Sequence, residues 1–168
     1  MNRPVLWLVV PCYNEQEVLP VSSKLFLEQL LVLRDAGEIS DASRILFVDD
    51  GSTDATWQII CDLHDDDPHF EGLKLSRNRG HQNALLAGLI EAEPSCDATI
   101  SLDADGQDDV TKIADMLAAY KQGYDVVYGV RSSRATDTVF KRFTAEAFYR
   151  IVNALGGHVV FNHADYRL

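Results

Sequence analysis

Two aspartates, Asp103 and Asp105, directly follow an apolar run that ends at Leu102. In an extended backbone, residues two apart point to the same side, so both carboxylates can project from the end of a strand. Close carboxylates repel each other unless a positive charge offsets the repulsion. A hard cation such as Mg²⁺ or Mn²⁺ prefers oxygen ligands and often bridges to a diphosphate, and Gln107 adds a neutral oxygen. We therefore predict a metal site formed by Asp103, Asp105 and Gln107.

Polar clusters also follow three other apolar runs, where strands are expected to end. They are residues 13–15, residues 49–54 and Arg131. Strand and helix patterns alternate along the whole chain, which is typical of a mostly parallel, doubly wound sheet with helices on both faces. Ligands of such sheets bind beyond the carboxyl ends of the strands. We therefore predict a single α/β domain in which the four clusters form one site.

The spacing of apolar residues predicts the elements that position these clusters. Strands are predicted over residues 5–10, 44–48, 70–75, 98–102 and 125–130, with a further short strand over 158–161. Helices are predicted from residue 18 to Gly37, from the turn at 52–54 to about residue 64, and over 83–92, 110–120 and 139–155. Residues 162–168 follow as a terminal segment, which we expect to be frayed.

The clusters offer acceptors and a cation that suit one kind of ligand. Asp49 or Asp50 can accept a hydrogen bond from a base N–H or a ribose hydroxyl, and Glu15 can accept one from ribose. Gly80 lets a planar base approach the backbone, and Arg131 can hold a phosphate. Together with a metal, these features predict a nucleoside diphosphate that carries a further group. No GxGxxG or GxxxxGK[ST] pattern occurs, which excludes those two phosphate-binding loops.

Several of these features also have a purely structural interpretation. Residues 52–54 are typical of turns and helix caps whatever the function. His81 stands in a polar loop, where we expect it to be solvated. Arg131 fits an ordinary surface charge equally well, and Cys12 fits a small filler residue.

Composition excludes some classes of partner. The 168 residues carry a formal net charge of −11, which argues against a nucleic-acid surface and against docking on an anionic lipid leaflet. The three cysteines are widely spaced without a CxxC pair, so we expect free thiols in a reducing cytosol rather than a zinc site. The apolar run at residues 5–10 is too short to span a bilayer, and we expect it to be a buried strand.

Several motifs together resemble family 2 glycosyltransferases with the GT-A fold. They are VVPCYNE at 9–15, FVDDGSTD at 47–54, SRNRGH at 76–81 and LDAD at 102–105. Three more motifs are similar to the polyprenyl-phosphate branch, which includes dolichol-phosphate mannosyltransferase-like enzymes and bacterial undecaprenyl-phosphate glucosyltransferases. These are DVVYGVRSSR at 125–134, FKR at 140–142 and ADYRL at 164–168.

The resemblance implies a role for each matching residue. The nucleoside would be bound by Pro11, Tyr13, Glu15 and Asp49 or Asp50. The metal and diphosphate would be held by Asp103, Asp105 and Gln107. Arg131 would meet a donor or acceptor phosphate, and Asp165 would face the reaction centre. The implied reaction is an inverting, metal-dependent transfer of a hexose, with UDP-glucose the favoured nucleotide sugar donor, to a polyprenyl phosphate.

The resemblance also implies a larger context for the chain. We expect residues 1–168 to be the catalytic domain of a longer enzyme, truncated before membrane helices that hold it at the cytoplasmic face. The fragment itself would be soluble and cytoplasmic, and assembly into a homo-oligomer stays open. Alternatives are transfer to a saccharide, nucleotide binding without turnover, a phospho-receiver domain and a haloacid-dehalogenase phosphatase. The last two place their acidic loop after the first strand, unlike this chain.

Overall fold

A computed structural model describes residues 3–130 and 163–168, which form a six-stranded sheet with helices. The order of strands across the sheet is β3-β2-β1-β4-β6-β5. The strands are β1 (Leu6–Cys12), β2 (Arg44–Asp49), β3 (Phe70–Lys74), β4 (Ala98–Ser101), β5 (Tyr128–Val130) and β6 (His163–Arg167). The predicted α/β class, with a mostly parallel sheet, is confirmed.

Strands β1 to β4 run parallel to one another, so their carboxyl ends share one edge of the sheet. The register pairs Cys12 of β1 with Asp49 of β2, and Asp49 in turn with Lys74 of β3. On the other side, Val9 of β1 pairs with Ser101 at the end of β4. The polar segments that follow these strands are thereby brought to the same edge.

Helices cover both faces of the sheet, as predicted for a doubly wound fold. They are α1 (Leu19–Asp35), α2 (Thr56–Asp66), α3 (His81–Ala92) and α4 (Ile113–Lys121), with short 3₁₀ turns at Glu93–Ser95 and Val110–Lys112. One apolar core lies between the sheet and α1, α2 and α4, and a second lies between the sheet and α3. Successive strand residues point to opposite faces, so Leu8 and Val10 enter the first core and Val9 enters the second.

The C-terminal residues differ from the prediction of a frayed segment. Residues His163–Arg167 form β6, which lies between β4 and β5 and runs antiparallel to both. Hydrogen bonds in both directions join Val127 and Leu168. The prediction was wrong because the backbone groups of two neighbouring strands supply partners that local sequence does not reveal. The predicted helix over 139–155 and strand over 158–161 lie outside the described residues.

Candidate functional site

A pocket of about 190 Å³ opens at the carboxyl edge of the parallel strands. Its walls come from the ends of β1 and β2, the 76–80 loop and the first turns of α3. The lining residues are Pro11, Cys12, Tyr13, Glu15, Asp50, Asn78, Gly80, His81 and Ala84. The structure therefore brings together five residues that the sequence assigned to nucleoside binding: Pro11, Tyr13, Glu15, Asp50 and Gly80.

Asp50 connects the end of β2 to the loop that follows β3. Its side chain is buried, and its two carboxylate oxygens accept from the backbone N–H groups of Arg79 at 2.6 Å and Gly80 at 2.8 Å. Its own N–H donates to the carbonyl of Cys12 at 2.8 Å. Each carboxylate oxygen can accept more than one hydrogen bond, so Asp50 can hold this loop and still accept from a ligand.

Asp49, the other candidate of this acidic pair, is placed differently. It is the last residue of β2, is fully buried and does not line the pocket. Its Oδ1 accepts from the N–H of Ser52 at 3.1 Å, which stabilises the turn after β2. Its Oδ2 has no hydrogen-bond partner among the residues that the structure describes. Of the two aspartates, Asp50 is therefore the one that lines this pocket.

Gly51 lies where two loops approach most closely. Its φ is +70°, and an added Cβ would stand 2.5 Å from the carbonyl carbon of Arg77 and 2.6 Å from the nitrogen of Asn78. A side chain would therefore push the 76–80 loop away from the end of β2. Glycine is required here both for the left-handed backbone and for the contact with Asn78, which lines the pocket.

Gly80 also has a left-handed backbone, with φ at +87°, but nothing lies within 4 Å of an added Cβ. The space beside this backbone is open, as a close approach by a planar ligand requires. Helix α3 begins at the next residue, His81, whose Nε2 is 4.0 Å from Oδ1 of Asp103. His81 is exposed, as the sequence predicted, and it also lines the pocket.

The acidic loop after β4 lies beside the pocket. Ala104 is buried, whereas the flanking side chains of Asp103 and Asp105 are accessible, so these two residues alternate with an inward one as predicted. They occupy a turn rather than the strand itself. Oδ1 of Asp105 accepts from the N–H of Gln107 at 2.9 Å, and Asp108 accepts from the N–H of Asp103 at 3.1 Å.

The electrostatics of Glu15 tie the first loop to this acidic loop. Partial burial raises the pKa of the Glu15 carboxyl, and the negative charges of Asp105 and Asp54 raise it further. Glu15 and Asp105 therefore lie close enough for the ionisation of one to oppose that of the other. A cation between the loops would relieve this repulsion.

The donor set of the acidic loop fits a hard divalent cation. Asp103, Asp105 and Gln107 offer oxygen ligands, which Mg²⁺ and Mn²⁺ prefer over nitrogen or sulfur. Among the described residues, no group of three or more His, Cys, Asp and Glu side chains is arranged to hold a metal alone. In proteins, Mg²⁺ commonly completes its coordination with waters and with phosphate oxygens.

Of the two residues predicted to be catalytic, the structure describes the backbone of Asp165 but not Arg131. Arg131 lies outside the described residues and directly follows Val130, the last residue of β5. Asp165 lies in β6, whose antiparallel register pairs Arg167 with Ser101. Asp165 therefore lies two residues before Arg167, and Asp103 lies two residues after its partner Ser101.

Four lining residues were not predicted as ligand-binding: Cys12, Asn78, His81 and Ala84. Cys12 is buried, and desolvation together with the charges of Glu15 and Asp49 raises its thiol pKa well above the usual range. It is therefore a neutral wall of the pocket and not a nucleophile. Only the N-x-G-H spacing at 78–81 could have indicated Asn78 and His81.

Comparison with known proteins decides the family. The model of the family described as "Glycosyl transferase family 2" matches residues 7–168. The chain belongs to glycosyl transferase family 2. It has a GT-A-type fold, and the resemblance to this family noted in its motifs is confirmed.

Two relatives show how far the similarity of this chain extends. "Uncharacterized glycosyltransferase YkoT" from Bacillus subtilis (strain 168) is 50% identical over 167 residues, which cover 99% of this chain and 50% of the relative. "Bactoprenol glucosyl transferase" from Shigella phage SfV is 39% identical over 163 residues, covering 96% of this chain and 50% of the relative. The chain therefore spans about half the length of these relatives.

A solved structure supports the fold. Glucosyl-3-phosphoglycerate synthase from Mycobacterium tuberculosis, in complex with Mn²⁺, UDP and phosphoglyceric acid, matches with a TM-score of 0.58 at 18% identity. The match covers 95% of this chain and 55% of the synthase chain. Within the described residues of the present chain, no helix has both the length and the apolar character needed to cross a bilayer.

Proposed function

We propose that this glycosyltransferase moves a hexose, with inversion, from a nucleotide sugar to a polyprenyl phosphate, and that the donor is UDP-glucose. The observation that carries the proposal is the pocket at the strand ends, which combines a base-sized cleft with an adjacent acidic loop. The 39% identity to a protein named bactoprenol glucosyl transferase supports the acceptor and the sugar.

The nucleoside would lie in the pocket beside Tyr13 and Gly80. Uracil presents one N–H donor between two carbonyl acceptors, and the pocket offers complementary groups. The Asp50 carboxylate can accept from the N–H of the base, and the amide NH₂ of Asn78 can donate to a carbonyl. Glu15 would accept from ribose hydroxyls, and Pro11 would form an apolar wall.

The diphosphate would lie over the acidic loop, with a divalent metal held by Asp103, Asp105 and Gln107. The metal would offset negative charge on the diphosphate as the bond to the sugar breaks. The solved structure of similar fold contains Mn²⁺ together with UDP, which supports a divalent cation in this position. His81, 4.0 Å from Asp103, would help to orient that carboxylate.

The acceptor would approach the side of the site where β6 begins. A phosphate monoester is already largely ionised near neutral pH, because its second pKa is about 6. It therefore needs little help from a general base, and Asp165 would position the acceptor rather than deprotonate it. Arg131 would pair with a phosphate of the donor or acceptor. A sugar hydroxyl acceptor would instead require a general base.

We further propose that residues 1–168 are the catalytic domain of a longer protein that works at the cytoplasmic face of a membrane. The Bacillus and Shigella phage relatives are about twice as long as this chain, which leaves room for a membrane anchor. A polyprenyl phosphate resides in a bilayer, so an anchor would raise its effective concentration at the site. Oligomerisation through such segments is compatible with this arrangement.

The first test is calorimetric titration with UDP and GDP, with Mn²⁺, with Mg²⁺ and with EDTA. We expect UDP to bind more tightly than GDP and its binding to depend on the metal. The second test supplies UDP-glucose with either a detergent-solubilised polyprenyl phosphate or a free saccharide. Glucose transfer to the lipid phosphate alone supports the proposal. Transfer to the saccharide alone would replace it with the saccharide alternative, and binding without turnover would reduce the protein to a nucleotide-binding module.

A further inference from the structure

Two loops beside the candidate pocket are joined by hydrogen bonds from the backbone of one to side chains of the other. Three consecutive backbone N–H groups of the first loop donate to oxygens of the second. The pairs are Asn14 with Ser52 at 2.9 Å, Glu15 with Thr56 at 2.8 Å and Gln16 with Asp54 at 3.2 Å.

The reverse direction is used as well. The N–H of Thr53 donates to Oδ1 of Asn14 at 2.9 Å, and the N–H of Ala55 donates to Oε1 of Gln16 at 3.1 Å. We refer to these five hydrogen bonds between residues 14–16 and 52–56 as the loop clamp. Because both loops donate and accept, neither can shift along the other without breaking several bonds.

The loop clamp holds the segment that carries two of the pocket-lining side chains. Tyr13 and Glu15 flank Asn14, whose φ of 57° turns the chain between them. The Tyr13 residue is 45% exposed, so burial in the core does not hold it in place. The position of both side chains therefore depends on the backbone that the clamp fixes.

Thr56 takes part in the loop clamp but does not line the pocket. It is fully buried at the start of α2, and its hydroxyl oxygen accepts from the N–H of Glu15. Its own N–H donates to Oδ1 of Asp54 at 3.0 Å, and Oδ2 of the same carboxylate accepts from Gln16. Thr56 thus ties α2 to the backbone of Glu15 directly and to that of Gln16 through Asp54.

We propose that Thr56 and Asn14 are positioning residues for the nucleotide sugar, acting through the backbone of Tyr13 and Glu15. This inference rests on the proposed function and adds residues to it that contact neither sugar nor nucleotide. Because a preorganised loop avoids an ordering cost on binding, loss of the clamp weakens donor binding even in a folded protein.

The test compares Thr56→Val with Thr56→Ser in the same protein. Valine keeps the shape of threonine but removes the acceptor for the Glu15 N–H, whereas serine keeps it. We expect Thr56→Val to weaken UDP binding about tenfold, or ~1.4 kcal/mol, and Thr56→Ser to restore most of the affinity. In a donor-hydrolysis assay, KM for UDP-glucose should rise more than kcat falls, which a loss of folded protein alone would not produce.

A second pair keeps the inference testable if Thr56→Val does not fold. Asn14→Gly accepts the positive φ but loses the acceptor for the Thr53 N–H, whereas Asn14→Asp keeps both. We expect Asn14→Gly to bind UDP several-fold more weakly than Asn14→Asp, with both folded by circular dichroism at the titration temperature.

The possible results separate this inference from the proposed function. If the wild-type protein binds UDP and the folded variants bind it equally well, the positioning role is refuted and the proposed function stands. If the wild-type protein binds no nucleotide, the proposed function fails and the inference fails with it. Weaker binding by Thr56→Val and Asn14→Gly, with rescue by the matched variants, supports the role.

Discussion

Replacement of Gly51 by alanine should lower the free energy of unfolding and displace the 76–80 loop, which lines the pocket. The added Cβ would stand 2.5 Å from the carbonyl carbon of Arg77, 2.6 Å from the nitrogen of Asn78 and 2.7 Å from the Cα of Arg77. All three are backbone atoms, so no side-chain rotation can relieve the contact. The 76–80 loop must move, although Asp50 holds it by hydrogen bonds to Arg79 and Gly80.

The expected magnitude has two parts. A non-glycine residue in the left-handed region costs roughly 1–2 kcal/mol, and φ at Gly51 is +70°. Overpacking against a fixed neighbour costs about 1–3 kcal/mol more. We therefore expect Gly51→Ala to lower the free energy of unfolding by about 2–5 kcal/mol.

Gly123→Ala is the matched control for this experiment. Gly123 has φ at +94°, nothing lies within 4 Å of its added Cβ, and it does not line the pocket. It should therefore show the backbone cost of roughly 1–2 kcal/mol alone. Urea denaturation of the wild type and both variants measures the free energies of unfolding, and calorimetry measures UDP affinity below the unfolding transition.

We expect only Gly51→Ala to weaken UDP binding, because only its neighbour Asn78 lines the pocket. If Gly51→Ala and Gly123→Ala lower the free energy of unfolding equally, the close backbone contact at Gly51 adds no energetic cost, and this reasoning is refuted. Wild-type UDP affinity in a folded Gly51→Ala protein would refute the assignment of the 76–80 loop to the nucleotide site.

Three further predictions concern the pocket and its charge. Asp105→Asn should weaken Mn²⁺-dependent UDP binding at least tenfold, or ~1.4 kcal/mol, yet leave uridine binding unchanged. Calorimetry with and without EDTA measures both affinities, and UDP binding by the wild type that is unchanged in EDTA would contradict the prediction. Gly80→Val should abolish UDP binding, whereas Gly123→Val, at another glycine with positive φ and nothing within 4 Å of an added Cβ, should retain it, so normal binding by Gly80→Val would overturn the base assignment. Because the pKa of Glu15 is raised in the folded protein, ionisation of Glu15 opposes folding. The free energy of unfolding of the wild type, relative to that of Glu15→Gln, should therefore fall as pH rises from about 4.5 through the raised pKa. Urea denaturation at several pH values measures this difference, and a pH-independent difference would contradict the prediction.

The sequence predicted the parallel part of the sheet because its signals are local. Apolar runs such as 44–48 and helical spacing such as 83–92 each identify one element, and alternation of elements determines a doubly wound order. The strand ends then had to meet at one edge, which placed Tyr13, Asp50 and Asp103 together. Strand β6 could not be predicted in this way, because only Ala164 and Tyr166 of His163–Arg167 are apolar and the strand pairs only with strands distant in sequence.

The sequence also did not predict which residue of the pair Asp49 and Asp50 lines the pocket, or that the turn after β2 binds the first loop. Asp49 and Asp50 are adjacent and chemically identical, and only the register with Cys12 places one inside the sheet and the other at the pocket. The side chains of Ser52 and Asp54 are typical of a cap for the next helix. Both nevertheless accept hydrogen bonds from the first loop, because its N–H groups have no partners in a sheet or helix.

The charge of the site gives a physical reason to expect a cation with the donor. A diphosphate is strongly anionic, and the pocket it would approach already carries Glu15 and Asp50, with Asp103 and Asp105 beside it. Of the described residues that line this pocket, His81 is the one whose side chain can carry a positive charge. Each of these carboxylates would repel a bare diphosphate, and among the lining residues one imidazolium could attract it. A divalent metal between the carboxylates and the phosphates reverses this balance, and so the same acidic loop that would repel a bare diphosphate would bind a metal-bound one.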